Sequence, residues 1–296
     1  MKMMKQGLHL FRLALVAFIL PFPLVATAAQ EIVSPPAGEP PVLDGSCNDG
    51  AWRAARAYTI RDKRLNVDIV LKSVHTSDKV FFCVQYPDPD ESRLHRPWVW
   101  DKKLGIYTVG PYIEDTFVFR WNLEDHEVDL SDFSDDTFLA DVWYWKANRT
   151  DPMGYADDKY DSLTANETRR SRQVLSRSGK KRYLLREEDD GTSAFKTVME
   201  LDYRGDQLPQ YVLSTPTGSR ADVMAKGAWK DKIWTIEFGR KLKTGHGDDV
   251  QFNAVGTTKY LFGVSIKSLY GEPIDDKIPN LYGQGRISAP LRLIFK

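Results

Sequence analysis

"TFVFRW", residues 116–121, sets Phe117, Phe119 and Trp121 on one side of an extended chain and Val118 and Arg120 on the other. Successive side chains of a strand point to opposite faces, so this is the period of a β-strand with one strongly apolar face. The same period recurs along the chain. "VDIVLK" (67–72) alternates at Val67, Ile69 and Leu71, and "KVFFCVQY" (79–86) at Val80, Phe82, Val84 and Tyr86. "AWKDKIWTIEFGRKL" (228–242) reads as two strands around a turn at Asp231 and Lys232, while "KYLFGVSIKSL" (259–269) and "RISAPLRLIF" (286–295) supply two more. Short period-two runs punctuated by Pro, Gly, Asn and Asp, with no internal repeat and no long helix-period segment, point to packed antiparallel sheets rather than βαβ units. The expectation is a mainly β chain: a single immunoglobulin-like or jelly-roll-type antiparallel β-sandwich with a few short helices.

One of those helices is expected in "DVWYWKANRTDPMGYADDKY", residues 141–160. A helix starting near Ala140 sets Trp143, Lys146 and Ala147 on one side, and Pro152 and Gly154 force the exit. The preceding "DLSDFSDD" (129–136) offers Ser134, Asp135 and Asp136 as caps. Such dense aromatic surface beside so many charges reads either as the seal of a core or as the wall of a ligand pocket.

The chain opens with Lys2, Lys5 and Arg12 ahead of an apolar run, "LALVAFILPFPLVATAA" (13–29), that ends in small residues. That is the layout of a secretory signal, residues 1–29, with a linker expected over 30–40 and the sandwich over 41–296. No later apolar stretch is long enough for a membrane span, so a periplasmic or secreted protein is expected. The full chain carries 41 basic and 41 acidic residues, and without the signal 38 basic residues remain. A near-neutral surface gives no footprint for nucleic acid. The basic patch "TRRSRQVLSRSGKKR" (168–182) reads as a solvated loop or hairpin.

Two cysteines occur, Cys47 in "DGSCNDG" and Cys83 in "VFFCVQY". An oxidising compartment permits a bridge between them, with two separate thiols as the alternative. Their spacing excludes covalent haem attachment through CxxCH and a cysteine zinc site. No GxSxG, HExxH, Walker or Rossmann pattern is present, so no enzyme activity is expected. "DLSDFSDD" and "REEDDG" (186–191) offer oxygen ligands for Ca²⁺ without EF-hand spacing.

"VLDGSCNDGAWRAARAYTI" (42–60) resembles the opening of DOMON-like and family-9 carbohydrate-binding sandwiches. Combined with "VHTSDKVFFCVQYPDPDES" (74–92), "IEDTFVFRWN" (113–122) and residues 141–160, it resembles the ethylbenzene-dehydrogenase-related haem-binding proteins, which include γ subunits of periplasmic molybdenum dehydrogenases. The resemblance implies a sandwich that holds one non-covalent haem b and passes electrons beside a larger redox enzyme subunit or cytochrome. In that family a Met on a mid-chain strand and a Lys or His near the C-terminus grip the iron. Here Arg120 stands near the Met position, and Tyr144 stands where a His often separates the two Trp. An Arg side chain stays protonated and is a poor iron ligand. The remaining candidate ligands are His95, Met153 and Lys277, and the candidate cofactor-contacting residues are Trp143, Trp145, Lys146, Arg149 and Tyr155. The alternative function is a carbohydrate- or small-ligand-binding sandwich without haem, with Trp98, Trp100, Trp143, Trp145 and Tyr155 as a stacking platform.

Overall fold

The computed structural model of the chain describes residues 29–62, 67–266 and 287–296. The expected signal, apart from Ala29, and the candidate ligand Lys277 lie outside the described residues.

The alternating runs form the two sheets of a sandwich. The larger has eight strands in spatial order β1 (Gln30–Ser34), β20 (Leu291–Phe295), β19 (Tyr260–Ile266), β7 (Thr116–Asn122), β8 (Phe138–Lys146), β9 (Asp157–Thr164), β11 (Lys181–Glu188) and β10 (Arg172–Leu175). The smaller has five: β17 (Met224–Lys230), β18 (Ile233–Lys241), β4 (Lys79–Pro87), β3 (Val67–His75) and β2 (Tyr58–Asp62). Pairing is antiparallel in both except for β1, which runs parallel to β20. The stretch expected as a linker therefore opens as a sheet strand. Beyond the sandwich, β14 (Gln207–Leu208), β5 (Trp98–Asp101) and β6 (Ile106–Val109) form a three-stranded sheet. Two short pairs accompany it: β12 (Gly191–Thr192) with β16 (Thr217–Gly218), and β13 (Phe195–Thr197) with β15 (Tyr211–Leu213).

The core between the sheets is aromatic. Phe82 and Phe238 from the smaller sheet meet Phe117, Phe119, Trp121, Trp143 and Phe262 from the larger one, all buried. Trp121 stacks on Phe262 with ring centroids 4.4 Å apart. Trp145 meets Trp234 edge-on at 4.9 Å. Such pairs add stability beyond the area they bury.

The expected helix over residues 140–147 is instead strand β8. Its register against β7 pairs Phe119 with Trp143 and Phe117 with Trp145, so both Trp point into the core. Val118, Val142 and Tyr144 occupy the opposite face and form a small buried cluster of their own. Both faces of β8 are covered, so polar and apolar residues do not alternate and the period of two is hidden. Ser134, Asp135 and Asp136 have no helix to cap there. Ser134 Oγ instead accepts from Asp136 N–H, and the Asp135 carboxylate accepts from the hydroxyls of Ser176 and Ser178. Among the described residues the helical content is three short 3₁₀ turns, Gly50–Ala54, Asp151–Met153 and Ser219–Ala221. None of the described helices is long and apolar enough to cross a membrane.

The Asp-Gly turn near the start docks on the smaller sheet. Glu237 of β18 accepts hydrogen bonds from the backbone N–H of Asp44, Gly45 and Ser46 and from Trp52 Nε1. Gly45 has φ +81°, and a Cβ there would lie 2.6 Å from Ala228 N, so this close approach requires glycine. Cys47 and Cys83 are joined in a disulfide that ties the turn to β4.

Candidate functional site

Lys146 ends β8 with its side chain on the outer face of the larger sheet, buried at 3% exposure. Its Nζ donates to Asp157 Oδ2, and Asp157 also receives Arg220 Nη2 at 2.5 Å. Arg220 extends the chain of charges to Glu188 at 2.6 Å. Burial pulls the Lys146 amine down to about 7, outweighing the attraction of Asp157. Burial acts on Asp157 in the other direction, but Lys146, Lys159 and Arg220 outweigh it and hold that carboxyl well below the usual range.

Arg149, three residues on, lies beside Lys146. Its Nε donates to Glu114 Oε1, and its own N–H and that of Asn148 donate to Glu114 Oε2. His95 closes the same group, its Nδ1 accepting from Glu114 N–H at 3.4 Å. A roof covers these polar groups. Phe195 of β13 lies 5.0 Å from Lys146 Nζ and 5.1 Å from Arg149 Cζ, and Tyr211 of β15 lies 5.0 Å from Arg149 Cζ. Tyr211 also meets the His95 ring at 5.6 Å, and the Tyr144 ring lies 4.6 Å from Lys146 Nζ. Cations held against ring faces away from water are attracted by the ring quadrupole.

The structure thus brings together three residues predicted from sequence, His95, Lys146 and Arg149. The other predicted residues lie elsewhere. Trp143 and Trp145 are fully buried between the sheets; Trp145 donates through Nε1 to Asp151 at 3.0 Å. Tyr155 is half-buried and bridges to Met224, and Met153 is half-buried in the 3₁₀ turn Asp151–Met153. The five-ring stacking platform is therefore not assembled, because two of its rings are core. Arg120, near the expected iron position, is bound to Asp132, Asp161 and the Leu130 carbonyl. Two carboxylates of "DLSDFSDD" are likewise engaged in ion pairs: Asp129 with Arg177, and Asp132 with Arg120 and Arg186. Glu114, Asp157, Phe195, Tyr211 and Arg220 were not among the cofactor-contacting or ligand candidates read from the sequence. Glu114, in "IED", carried a usable signal as a carboxylate directly preceding a buried strand.

Two carboxyls next to this site hold their protons unusually strongly. Burial, then the charge of Asp115, pushes Asp88 up to about 9. Burial pushes Asp115 up to about 7 against the hydrogen bonds it accepts from Ser92 N–H and Trp234 Nε1. Unfolded, both groups lose their protons near pH ~4. The folded chain binds more protons between that pH and the raised values, so their contribution is complete in acid and is lost as pH rises through about 7 and about 9. The denaturation midpoint is expected to fall between pH 5 and pH 9, with a shallower slope in Asp88→Asn. A midpoint that rises over that range, or an Asp88→Asn slope equal to the parent's, contradicts this.

The donor chemistry of the roofed site suits a b-type haem. It offers an imidazole, a buried amine able to be neutral near pH 7, aromatic walls, and two guanidinium groups for the propionates. Phe195 and Tyr211 cover those donors, so entry of a planar macrocycle requires the β13–β15 pair to lift.

Among solved structures, a family-9 carbohydrate-binding module from Caldicellulosiruptor kristjanssonii in complex with cellotriose is similar at 9% identity and a TM-score of 0.41, covering 90% of this chain and 95% of that one. The same kind of module with glucose is similar at 10% identity and a TM-score of 0.40, covering 90% and 97%. None of the curated proteins matches the chain. The family model described as ethylbenzene dehydrogenase matches residues 50–265, from the first 3₁₀ turn to the end of β19 and through the whole roofed site. The chain belongs to the ethylbenzene dehydrogenase family.

Proposed function

We propose that this chain is an exported, non-catalytic electron-transfer subunit of an ethylbenzene-dehydrogenase-type redox assembly, and that it carries haem b at the roofed site. The observation that carries the reading is the convergence of His95, Lys146 and Arg149 beneath Phe195 and Tyr211, in a chain of this family. Bound haem b would supply a reversible one-electron couple. Lys146, whose amine is already pulled toward neutrality, and His95 are the side chains able to serve as iron ligands. Arg149 and Arg220 would meet the propionates, and Tyr144, Phe195 and Tyr211 would exclude water. A larger redox subunit or cytochrome is the expected partner. The exposed apolar side chains Leu104, Ile106, Met199, Leu201 and Tyr203 on the segments that carry β5, β6 and the roof suit such docking.

The test is a visible spectrum of the protein purified from the periplasm, oxidised and then reduced with dithionite. A Soret band with α and β bands that sharpen on reduction is expected, with Lys146→Ala and His95→Ala shifting or losing them. A colourless protein that also fails to take up added haem overturns the reading.

A further inference from the structure

On the opposite, inner face of the larger sheet, behind β8 and β9, three carboxylates are buried together. Asp141 comes from β8, Asp158 from β9 and Asp249 from the segment that follows β18. All three are at most 4% exposed, and one oxygen of each lies within 4.8 Å of the others. Arg240 of β18 faces the group, 3.3 Å from Asp141 and 2.9 Å from Asp249. The Asp141 carboxylate also accepts from Val250 N–H at 3.0 Å.

Asp158 is the anomaly. It is fully buried, and among the described residues neither of its oxygens has a hydrogen-bond partner. A buried carboxylate without a partner is costly, and buried charges are normally paired or bound to metal. With all three ionised, one guanidinium against three carboxylates leaves two negative charges in excess. We propose that Asp141, Asp158 and Asp249 form a calcium site that completes the interior of the sandwich at this edge.

The charge excess equals that of a divalent cation. The donors are all carboxylate oxygens, which select a hard cation. Calcium binds oxygen at about 2.3–2.6 Å, so donors on opposite sides of one ion lie about 5 Å apart, in keeping with the spacing here. Next to the triad, a cleft of about 400 Å³ is lined by Asp189, Asp190 and Asp248 with Tyr160, and by Glu188, whose carboxylate is bound to Arg220. Its acidic lining, with Asp248 next to Asp249, would draw a cation toward the triad. His246 and Asp222 form a neighbouring pair, with His246 3.8 Å from Asp249. The site is separate from the Lys146 group: Asp157 and Asp158, adjacent in sequence, point to opposite faces of the sheet, one to each.

The purified protein, stripped with EGTA, is titrated with CaCl₂ by calorimetry and melted with and without it. One ion per chain is expected, with a rise in Tm of about 5–10 °C at a hundredfold excess over Kd. Asp158→Asn should fold, since it removes an unpartnered charge with little change of shape, yet lose both responses. Asp190→Asn, at the exposed mouth of the cleft, should keep them. A second readout needs no variant: Tb³⁺ at this site should be sensitised by Trp143, whose ring lies 5.2 Å from the Arg240 guanidinium, and displaced by Ca²⁺. Absence of heat, of a Tm shift and of sensitised emission overturns the proposal. So does an Asp158→Asn protein that binds calcium as the parent does.

Discussion

Arg120→Met is expected to destabilise the protein by about 3–5 kcal/mol, the usual cost of leaving buried charges without their partner. Arg120 is 1% exposed and lies on the outer face of β7. It donates to the Leu130 carbonyl at 2.6 Å and to Asp132 at 2.9 Å, and it also binds Asp161. Both carboxylates are buried, at 2% and 0% exposure. With Arg120 gone, Arg186 still faces them, 2.7 Å from Asp132 but 3.9 Å from Asp161. Arg120 also anchors the segment that precedes β8, because the carbonyl it binds belongs to Leu130 in the small outer apolar cluster with Val128 and Phe138. The double variant Arg120→Met, Asp161→Leu should recover much of the loss, since it removes the stranded charge as well. Equilibrium unfolding in denaturant checks both variants. A loss below about 1 kcal/mol in the single variant would mean that the ion pairs are solvated and not part of the interior.

This position shows where sequence reading stops. Alternation in "TFVFRW" correctly set Arg120 opposite the core, but it carried no information on what covers the outer face. Strands with one covered face were legible: in β3, Ile69 and Leu71 are buried while Asp68, Val70 and Lys72 beside them are not. Strand β8 was not, because the 128–138 and 189–213 segments cover its second face as well, and a strand buried on both faces has no polar side to mark its period. The candidate site was half legible for the same reason. Lys146 and Arg149 stood out by their density of charge among aromatics. Glu114, Phe195, Tyr211 and Arg220 reach them from up to 63 residues beyond their partners, as Arg220 does to Asp157. The calcium triad was invisible as a motif. Its members stand on two neighbouring strands and a distant loop, and no fixed spacing along the chain joins them.

Trp143→Ala should cost about 3–5 kcal/mol, the range for removing a large aromatic from a packed core. As a helical residue beside a pocket, Trp143 would lose ligand before it lost stability; as a residue of β8, it does the reverse. Its ring is fully buried, 5.1 Å from Trp121, 5.6 Å from Phe119 and 5.9 Å from Phe82. Arg240 lies over it at 5.2 Å, so truncation also loosens the guanidinium that balances Asp141 and Asp249. Little in this neighbourhood can close the gap, because the surrounding rings are held by two sheets whose register is fixed on both sides. Lys146→Ala makes the opposite case: it lies on the outer face, and its loss should change the visible spectrum more than the unfolding midpoint. Measuring both quantities on both variants separates the two faces of one strand. A Trp143→Ala protein that unfolds within about 1 kcal/mol of the parent while losing bound haem would put the cofactor between the sheets and not beneath Phe195 and Tyr211.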